Sequence, residues 1–261
     1  MYPTLQRTCR ASCRNIFRSR SPRIPFDIVS PFRSSVKSNH VREVASLLKE
    51  RYHDFAHFNK KNPLDELLFI ICSITTTEPV YRRTHRALKK KFRSFSALSR
   101  ASVAQIAKVL REGGQYRQKG KAIRRLLAEI VSRYGKPTLS PLKGLPDGEC
   151  ESFLLSLSGV GKKVARCVML YSLKREVFPV DTHCRRVCSR LGWRGTAKDD
   201  DVNDDQLQAI VPGSLRYSLH VNLISLGREF CKAKKPICHL CPLKEICPKL
   251  GTEDQNLSRK R

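Results

Sequence analysis

A chain of 261 residues, of which 40% are hydrophobic, is long enough to bury a sizeable core. It contains no apolar run near the ~20 residues that a membrane span needs, so we expect a soluble protein with no membrane partner. Lysine and arginine number 51 against 23 acidic residues, and the formal net charge of +28 favours a polyanion, above all nucleic acid, as the partner.

The N-terminal segment, residues 1–26, contains six arginines and no acidic residue. This composition predicts a disordered basic tail, which is typical of a mitochondrial presequence and equally suits an arm that grips DNA. Both the mitochondrion and the nucleus are compatible with it. The other residues keep a net charge of +22, because the segment contributes six positive charges, so the excess is not confined to the tail. Residues 250–261 are predicted to form a second, flexible tail.

Helical periodicity runs through the chain from about residue 39 onward. Asn62 followed by Pro63 predicts the N-cap and the first residue of a helix. Ser102 and Gln105 predict a capping box at the start of another helix, and Gly135 predicts the end of a third. The same periodicity predicts later helices at Val164–Leu173, Thr182–Leu191 and Ser214–Gly227. Alternating strand patterns are scarce, so the predicted fold class is all-α.

A tight glycine turn separates two predicted helices at residues 153–165. Gly159 and Gly161 are expected to permit backbone angles and close approaches that a side chain would block. The free N–H groups at the start of the second helix then face outward, where a phosphate can accept their hydrogen bonds. Lys162 adds positive charge beside them. The pattern favours a backbone-binding hairpin, although an ordinary connection between two helices also uses glycine.

Lys163 and Asp181 are the candidate chemical groups. Lys163 is predicted in the first turn of a helix and next to Lys162, and both features should lower its pKa and expose a neutral amine. Asp181 begins a predicted helix, so by itself it is readily interpreted as an N-cap. A carboxylate at a helix start can also face a cleft, and capping does not exclude catalysis.

Four of the eleven cysteines crowd together near the C-terminal end, as Cys231-x6-Cys238-x2-Cys241-x5-Cys247. Thiolates at this density indicate either zinc or an iron–sulfur cluster. Other cysteines lie within predicted helices and are expected to be small buried apolar residues: Cys72, Cys150, Cys167, Cys184 and Cys188. We therefore expect a reducing compartment and a metal site rather than a disulfide scaffold.

Two motifs carry a resemblance to a known family. Leu157–Ala165 resembles the helix-hairpin-helix of the endonuclease III superfamily of DNA glycosylases, and Phe178–His183 resembles the Val-Asp-Thr-His signature of that family. Asp181 follows Lys163 by eighteen positions, as the resemblance requires. The resemblance to this family extends from about Leu64 to Pro248. The cysteine spacing also matches the [4Fe–4S] loop of endonuclease III at every interval, which favours the cluster over zinc.

The resemblance implies two helical lobes with a DNA cleft between them. Residues 64–173 would form a helical barrel lobe that carries the hairpin, and residues 39–63 together with 174–249 would form an iron–sulfur lobe. Lys163 and Asp181 would face each other across the cleft. The implied cluster ligands are Cys231, Cys238, Cys241 and Cys247.

The resemblance also implies a mechanism. The lysine at the position of Lys163 attacks C1′ of an extruded nucleotide and displaces its base, while the aspartate at the position of Asp181 stabilises the cationic sugar and assists proton transfers. The resulting Schiff base allows β-elimination, which nicks the strand 3′ to the lesion. Because relatives that only remove bases carry serine or tyrosine in place of Lys163, the lysine predicts a bifunctional glycosylase and AP lyase.

The residues that would touch DNA are only partly those of the family. Gly159, Val160, Gly161 and Lys162 form the hairpin expected to bind the backbone. The family fills the gap left by the extruded base with a glutamine, and the matching position here is Thr75. The family's wedge is often leucine, and Gln115 stands at that place. Base preference therefore does not follow from the usual pattern.

The expected partner is double-stranded DNA with a damaged base or an abasic site, bound by a monomer. The leading substrate implied by the resemblance is an oxidised pyrimidine. Phe178–Thr182 with Arg190–Trp193 also resembles plant 5-methylcytosine glycosylases, so 5-methylcytosine or a mismatched base is the alternative. An alternative from another class is a non-catalytic iron–sulfur module that binds DNA.

Overall fold

The computed structural model describes residues 38–54, 58–193 and 200–252. The predicted basic tail, residues 1–26, lies outside these ranges, as does the predicted C-terminal tail from residue 253 onward. Within the ranges, regular secondary structure consists of helices and no strand, which confirms the predicted all-α fold class. None of these helices is both long and apolar enough to cross a bilayer.

The part of the chain that the structure describes contains eleven α-helices, joined by short turns and four 3₁₀ turns. In chain order they are α1 (Ser38–Tyr52), α2 (Pro63–Ser73), α3 (Glu78–Lys91), α4 (Phe95–Arg100), α5 (Val103–Val109), α6 (Tyr116–Tyr134), α7 (Asp147–Leu155), α8 (Lys162–Tyr171), α9 (Thr182–Arg190), α10 (Asp200–Ile210) and α11 (Arg216–Glu229).

The predicted helix signals are confirmed where the structure tests them. The side chain of Asn62 caps α2 by accepting hydrogen bonds from the first N–H groups of that helix. Ser102 and Gln105 form both halves of a capping box at α5. Gly135 ends α6 with a φ of 70°, a left-handed conformation that glycine adopts without steric cost. Side-chain N-caps such as those of Asn62 and Ser102 each stabilise a helix by about 1 kcal/mol.

Two separate hydrophobic cores hold the helices together. The first core is built mainly from helices α2 to α8, and the second from α1, α9 and α11 with Phe178 and Trp193. Helix α11 lies against both, because Val221 packs in the first core and Leu219 and Leu223 in the second. The two cores support the prediction of two lobes, while the exact lobe boundaries remain a prediction.

The cores bring together two helix starts that are far apart along the chain. Helix α8 packs against α2 and α7 in the first core, and α9 packs against α11 in the second. Helix α8 starts at Lys162, two residues earlier than the periodicity predicts, because Gly161 is its N-cap. Lys163 is therefore the second residue of its helix, and Asp181 is the N-cap of the next helix, α9.

Candidate active site

A cleft of about 540 Å³ contains both predicted chemical groups. Its lining comes from the end of α2 and the loop that follows, from one face of α8 along its length, from the first turn of α9, and from one face of α11. This volume falls in the range of pockets that hold small organic ligands, so one extruded nucleotide fits its scale. The lining residues that matter most below are Lys163, Asp181, Thr75, Cys167, Tyr171 and His220.

The hairpin before α8 has the predicted shape, but only one of its glycines is required by the fold. Gly159 has a φ of 80°, and a β-carbon there would lie 3.1 Å from the β-carbon of Ala122. Gly161 has a φ of −92°, and a β-carbon would meet no atom within 4 Å. The prediction that Gly161 is needed for its backbone angles is therefore wrong. Without a side chain there, the N-terminus of α8 has no side-chain cap.

The pKa of Lys163 is raised above its ordinary value, so the prediction of a lowered pKa is wrong. Cys167, one helical turn later, has the largest effect, which acts where its thiol ionises, and the charged carboxylate of Asp181 also raises the pKa. Together they favour the ammonium form more than burial disfavours it. Burial also raises the pKa of the Cys167 thiol to about 11, and Lys163 hydrogen-bonds to it. At neutral pH the site therefore holds an ammonium group and a neutral thiol.

Asp181 both caps a helix and lines the cleft. Its Oδ1 accepts a hydrogen bond of 2.8 Å from the backbone N–H of Cys184. Burial alone would raise the pKa of Asp181, but the imidazole of His220, the N–H of Cys184 and the ammonium of Lys163 lower it below its ordinary value. The carboxylate is therefore charged at neutral pH, opposite in sign to Lys163.

His220 is a cleft residue that the sequence reasoning missed. It is 1% exposed, and its Nδ1 lies 3.4 Å from Sγ of Cys184. Its ring centroid lies 5.7 Å from that of Tyr171 and 6.3 Å from that of Phe178. No motif marks His220 in the sequence. It reaches the cleft because α11 packs against α9, a contact between segments that are distant in the chain.

The predicted DNA-contacting residues do not all meet at the cleft. Thr75 is exposed and lines it, whereas Gln115 is exposed but lies outside its lining. Both have positive φ angles, of 50° and 46°. Val160 is buried, so only its backbone is available to a ligand. Lys162 forms an ion pair of 2.9 Å with Asp205, which a DNA phosphate would have to share or replace.

The four C-terminal cysteines line a second, smaller pocket together with Arg190. Arg190 donates a hydrogen bond of 3.1 Å to Sγ of Cys231. Among the described residues, no three cysteine, histidine or acidic side chains converge closely enough to hold a single metal ion. One zinc ion would need its thiolates about 3.8 Å apart, given Zn–S bonds of ~2.3 Å. In a cluster each thiolate binds a different iron, so four thiols spread around one pocket suit the cluster better.

The five other cysteines that were predicted to be buried are all buried and free of disulfide bonds. Two of them also belong to the surroundings of the cleft: Cys167, in the first core, lines it, and Cys184, in the second core, contacts the cleft residue His220. Besides packing in the cores, Cys167 affects the pKa of Lys163, and Cys184 contacts the ring of His220.

The sequence and fold match known proteins. Residues 69–212 match the HhH-GPD superfamily of base excision DNA repair proteins, and residues 231–247 match the iron–sulfur binding domain of endonuclease III. Endonuclease III of Thermotoga maritima is 28% identical over 205 residues, which cover 78% of this chain and 92% of that protein. DEMETER-like protein 2 of Arabidopsis thaliana is 30% identical over 170 residues, which cover 59% of this chain but 13% of that much longer protein.

A solved structure of a trapped endonuclease III–DNA covalent intermediate superposes with a TM-score of 0.71 at 25% identity. It covers 87% of this chain and 100% of that one. The predicted resemblance and the predicted [4Fe–4S] cofactor are thereby confirmed. Because the match to the family covers more than half of its length, this chain belongs to the HhH-GPD superfamily of base excision DNA repair glycosylases, and it carries the iron–sulfur binding domain of endonuclease III.

Proposed function

We propose that this protein is a bifunctional DNA glycosylase and AP lyase, with Lys163 as the nucleophile and Asp181 as the carboxylate that assists it. The observation that carries the proposal is the meeting of this amine and this carboxylate in one cleft of about 540 Å³. Each group has a pKa shifted toward its charged form. Ionised groups of opposite sign in one cleft are typical of a site that transfers protons.

The first chemical step requires a neutral amine. Lys163 must lose a proton before its Nζ attacks C1′ of the extruded nucleotide, because an ammonium group has no free electron pair. Attack forms the N–C1′ bond, the bond between C1′ and the base breaks with its electron pair leaving on the base, and the departing base takes up a proton equivalent to the one that Lys163 gives up. The carboxylate of Asp181 stabilises the positive charge that develops on the sugar.

The lyase step follows from the same covalent bond. Opening of the sugar ring gives a Schiff base between Nζ of Lys163 and C1′, which makes the protons on C2′ acidic. Loss of one C2′ proton and departure of the 3′ phosphate break the strand by β-elimination. Water then hydrolyses the Schiff base and releases Lys163. Asp181 is the charged carboxylate available in the cleft to accept a proton.

DNA binding is supported by the hairpin and by the charge of the chain. The N-cap of α8 is Gly161, which supplies no side-chain cap, and we propose that a phosphate accepts hydrogen bonds from the first N–H groups at this helix start. Lys162 lies beside them and would exchange its ion pair with Asp205 for the phosphate. The net charge of +28 supplies non-specific affinity through counterion release. We propose that Thr75 and Gln115 enter the duplex where the nucleotide leaves it.

The four cysteines Cys231, Cys238, Cys241 and Cys247 are the proposed ligands of the [4Fe–4S] cluster. When bound, the cluster crosslinks the C-terminal loop through metal–thiolate bonds. The chain itself supplies Arg190, whose guanidinium bonds to Cys231 and to the backbone of Lys232 and thereby joins the loop to α9. The loop is thus fixed to the helix whose N-cap is Asp181.

An oxidised pyrimidine is the proposed substrate, since the chain matches endonuclease III over 92% of that protein's length. The similarity to DEMETER-like protein 2 favours 5-methylcytosine as a second candidate. We propose that the protein acts as a monomer on double-stranded DNA. A non-catalytic iron–sulfur module that binds DNA is the competing class, and the chemistry of the cleft argues against it.

Borohydride trapping tests the proposal. The wild-type protein should form a covalent adduct with a duplex that contains an abasic site, and Lys163→Gln should form none while still binding the duplex. Persistent trapping by Lys163→Gln would show that another amine is the nucleophile. A wild-type protein that binds but neither traps nor nicks would support the non-catalytic module. Duplexes with thymine glycol, 5-methylcytosine and mismatched thymine then separate the substrates.

A further inference from the structure

Two short segments carry the residues proposed to enter the duplex, and they touch each other. Thr75 lies in the loop after α2, which we call the Thr75 loop (residues 74–77), and Gln115 lies in the turn before α6, which we call the Gln115 turn (residues 113–115). A β-carbon built on Gly114 would lie 3.7 Å from the backbone oxygen of Thr75. The two segments are therefore in contact although about 40 residues separate them in the chain.

Both segments hold a residue in a strained backbone conformation. Thr75 has a φ of 50° and Gln115 a φ of 46°, in the left-handed region that residues with a β-carbon rarely adopt. Such a conformation persists only where surrounding contacts fix it. Neither side chain supplies those contacts itself, because both are exposed. Something else must hold each backbone in place.

Lys119 is the side chain that connects the two segments. It lies in the first turns of α6, is 4% exposed, and its Nζ donates three hydrogen bonds. The acceptors are the backbone oxygen of Cys72 at 3.0 Å, Oγ1 of Thr76 at 2.8 Å and the backbone oxygen of Gly113 at 2.6 Å. An ammonium group has three hydrogens, so all of them are used.

The acceptors of Lys119 belong to both segments. Cys72 is in the last turn of α2, where the helix dipole favours a cation, and Thr76 is in the loop that follows. Gly113 begins the Gln115 turn. Thr76 also donates its own hydroxyl to the oxygen of Gly113, which closes a triangle of bonds. Burial lowers the pKa of Lys119, so the protein maintains this charge inside against the cost of desolvation.

We infer that Lys119 is a positioning residue that fixes the Thr75 loop and the Gln115 turn in a single arrangement, so that Thr75 and Gln115 enter the duplex together during nucleotide extrusion. The inference rests on the proposed function, because it takes these two residues as the ones that occupy the gap. Lys119 itself does not line the cleft and touches no reacting atom. Its effect should therefore fall on extrusion and not on the chemistry of Lys163.

Lys119→Met is the main test variant, since it keeps the aliphatic stem and removes the three donors. Lys108→Met is the matched control, because Lys108 is an exposed lysine on α5 whose loss removes the same charge. Thr76→Val is a milder test variant, because it breaks the triangle of hydrogen bonds without removing a charge. Its control is Thr77→Val, since the hydroxyl of Thr77 makes no capping bond at α3. Melting curves establish that each variant is folded.

Two readouts separate extrusion from chemistry. The single-turnover rate of base release from a duplex should fall by about 10- to 100-fold in Lys119→Met, as expected for loss of productive positioning. Trapping on single-stranded DNA with an abasic site should stay within about twofold of wild type, because that nucleotide needs no extrusion. Thr76→Val should show a smaller loss of the same kind. Equal losses on both substrates would overturn the inference and leave Lys119 as a purely structural residue.

A third readout does not depend on catalysis. The protein is bound at saturation to a duplex with 2-aminopurine opposite a tetrahydrofuran abasic analogue, and insertion of Thr75 and Gln115 should unstack the probe and raise its fluorescence. Lys119→Met should reduce that rise by at least about twofold. If wild type raises the fluorescence but never cleaves, the proposed function fails and the inference stands. An unchanged rise in the variant, or no rise in wild type, overturns the inference.

Discussion

Lys163 and Cys167 lie one turn apart on α8, and both side chains line the cleft that Asp181 also reaches. The cysteine has the largest effect on the pKa of the lysine and raises it above its ordinary value. The proposed nucleophile is therefore held as an ammonium group in the free protein. Deprotonation of Lys163 becomes a requirement of the reaction, and this makes the pH dependence of the site informative.

We predict that Cys167→Val shifts the pH profile of borohydride trapping to lower pH. The neutral amine is the nucleophile, so the trapping rate rises as pH increases through the pKa of Lys163. Removal of Cys167 removes the largest cause that raises that pKa, so the rise should occur at lower pH. The measurement is the initial trapping rate across roughly pH 8 to 11, whose upper end approaches the range in which Lys163 and Cys167 ionise. Cys150→Val is the control, since Cys150 is equally buried but does not line the cleft. Superimposable profiles for Cys167→Val and wild type would contradict the prediction.

Substitution of Asp181 should separate its capping role from its proposed chemical role. Asparagine caps a helix about as well as aspartate, so Asp181→Asn should keep the stability of the fold. Asp181→Ala should lose about 1 kcal/mol, because the N–H of Cys184 loses its acceptor. Both variants should lower the single-turnover glycosylase rate by about 100-fold, because both remove the carboxylate. Thermal unfolding and single-turnover kinetics measure the two effects. An Asp181→Asn protein with wild-type activity would reduce Asp181 to a helix cap.

The two glycines of the hairpin should respond differently to alanine. Gly159→Ala places a β-carbon at a φ of 80° and 3.1 Å from Ala122, so it should destabilise the fold by about 1–2 kcal/mol. Gly161→Ala meets open space, so its stability should be unchanged or slightly higher. The new methyl group beside the first N–H groups of α8 should still weaken binding to abasic-site DNA, on the order of tenfold. Denaturant unfolding and a binding titration at fixed salt measure both effects. A Gly161→Ala protein that binds DNA normally would argue against a phosphate at this helix start.

Loss of one proposed cluster ligand should remove the iron. Cys238→Ser should lower the iron content and the visible absorbance of the purified protein, because a hydroxyl is a poor ligand for this cluster. Cys150→Ser is the control: it makes the same replacement of sulfur by oxygen at a cysteine of the first core, and this variant should retain the iron of the cluster. Iron and zinc analysis of both proteins is the measurement. A Cys238→Ser protein with wild-type iron would remove Cys238 from the ligand set.

Much of this protein was determined by local sequence. The caps at Asn62, Ser102 and Gly135 follow from hydrogen bonds and backbone angles within a few residues, which is why the pattern predicted them. The spacing of the four cysteines is equally local, because a loop of 17 residues brings them together without help from the rest of the chain.

Only the tertiary structure decided the electrostatics of the cleft. The sign of the Lys163 shift was predicted wrongly from Lys162 and the helix dipole, because that reasoning left out Cys167, one turn later on the same helix, and Asp181, which the fold brings to the cleft from another helix. His220 and the bonds of Lys119 to Thr76 also join segments that are distant in sequence. The pKa of a buried group depends on which charged and polar groups the fold places within a few ångströms of it and on how much water the fold excludes. The arrangement of two loops depends on the same contacts. The order of residues along the chain does not show which distant residues will meet.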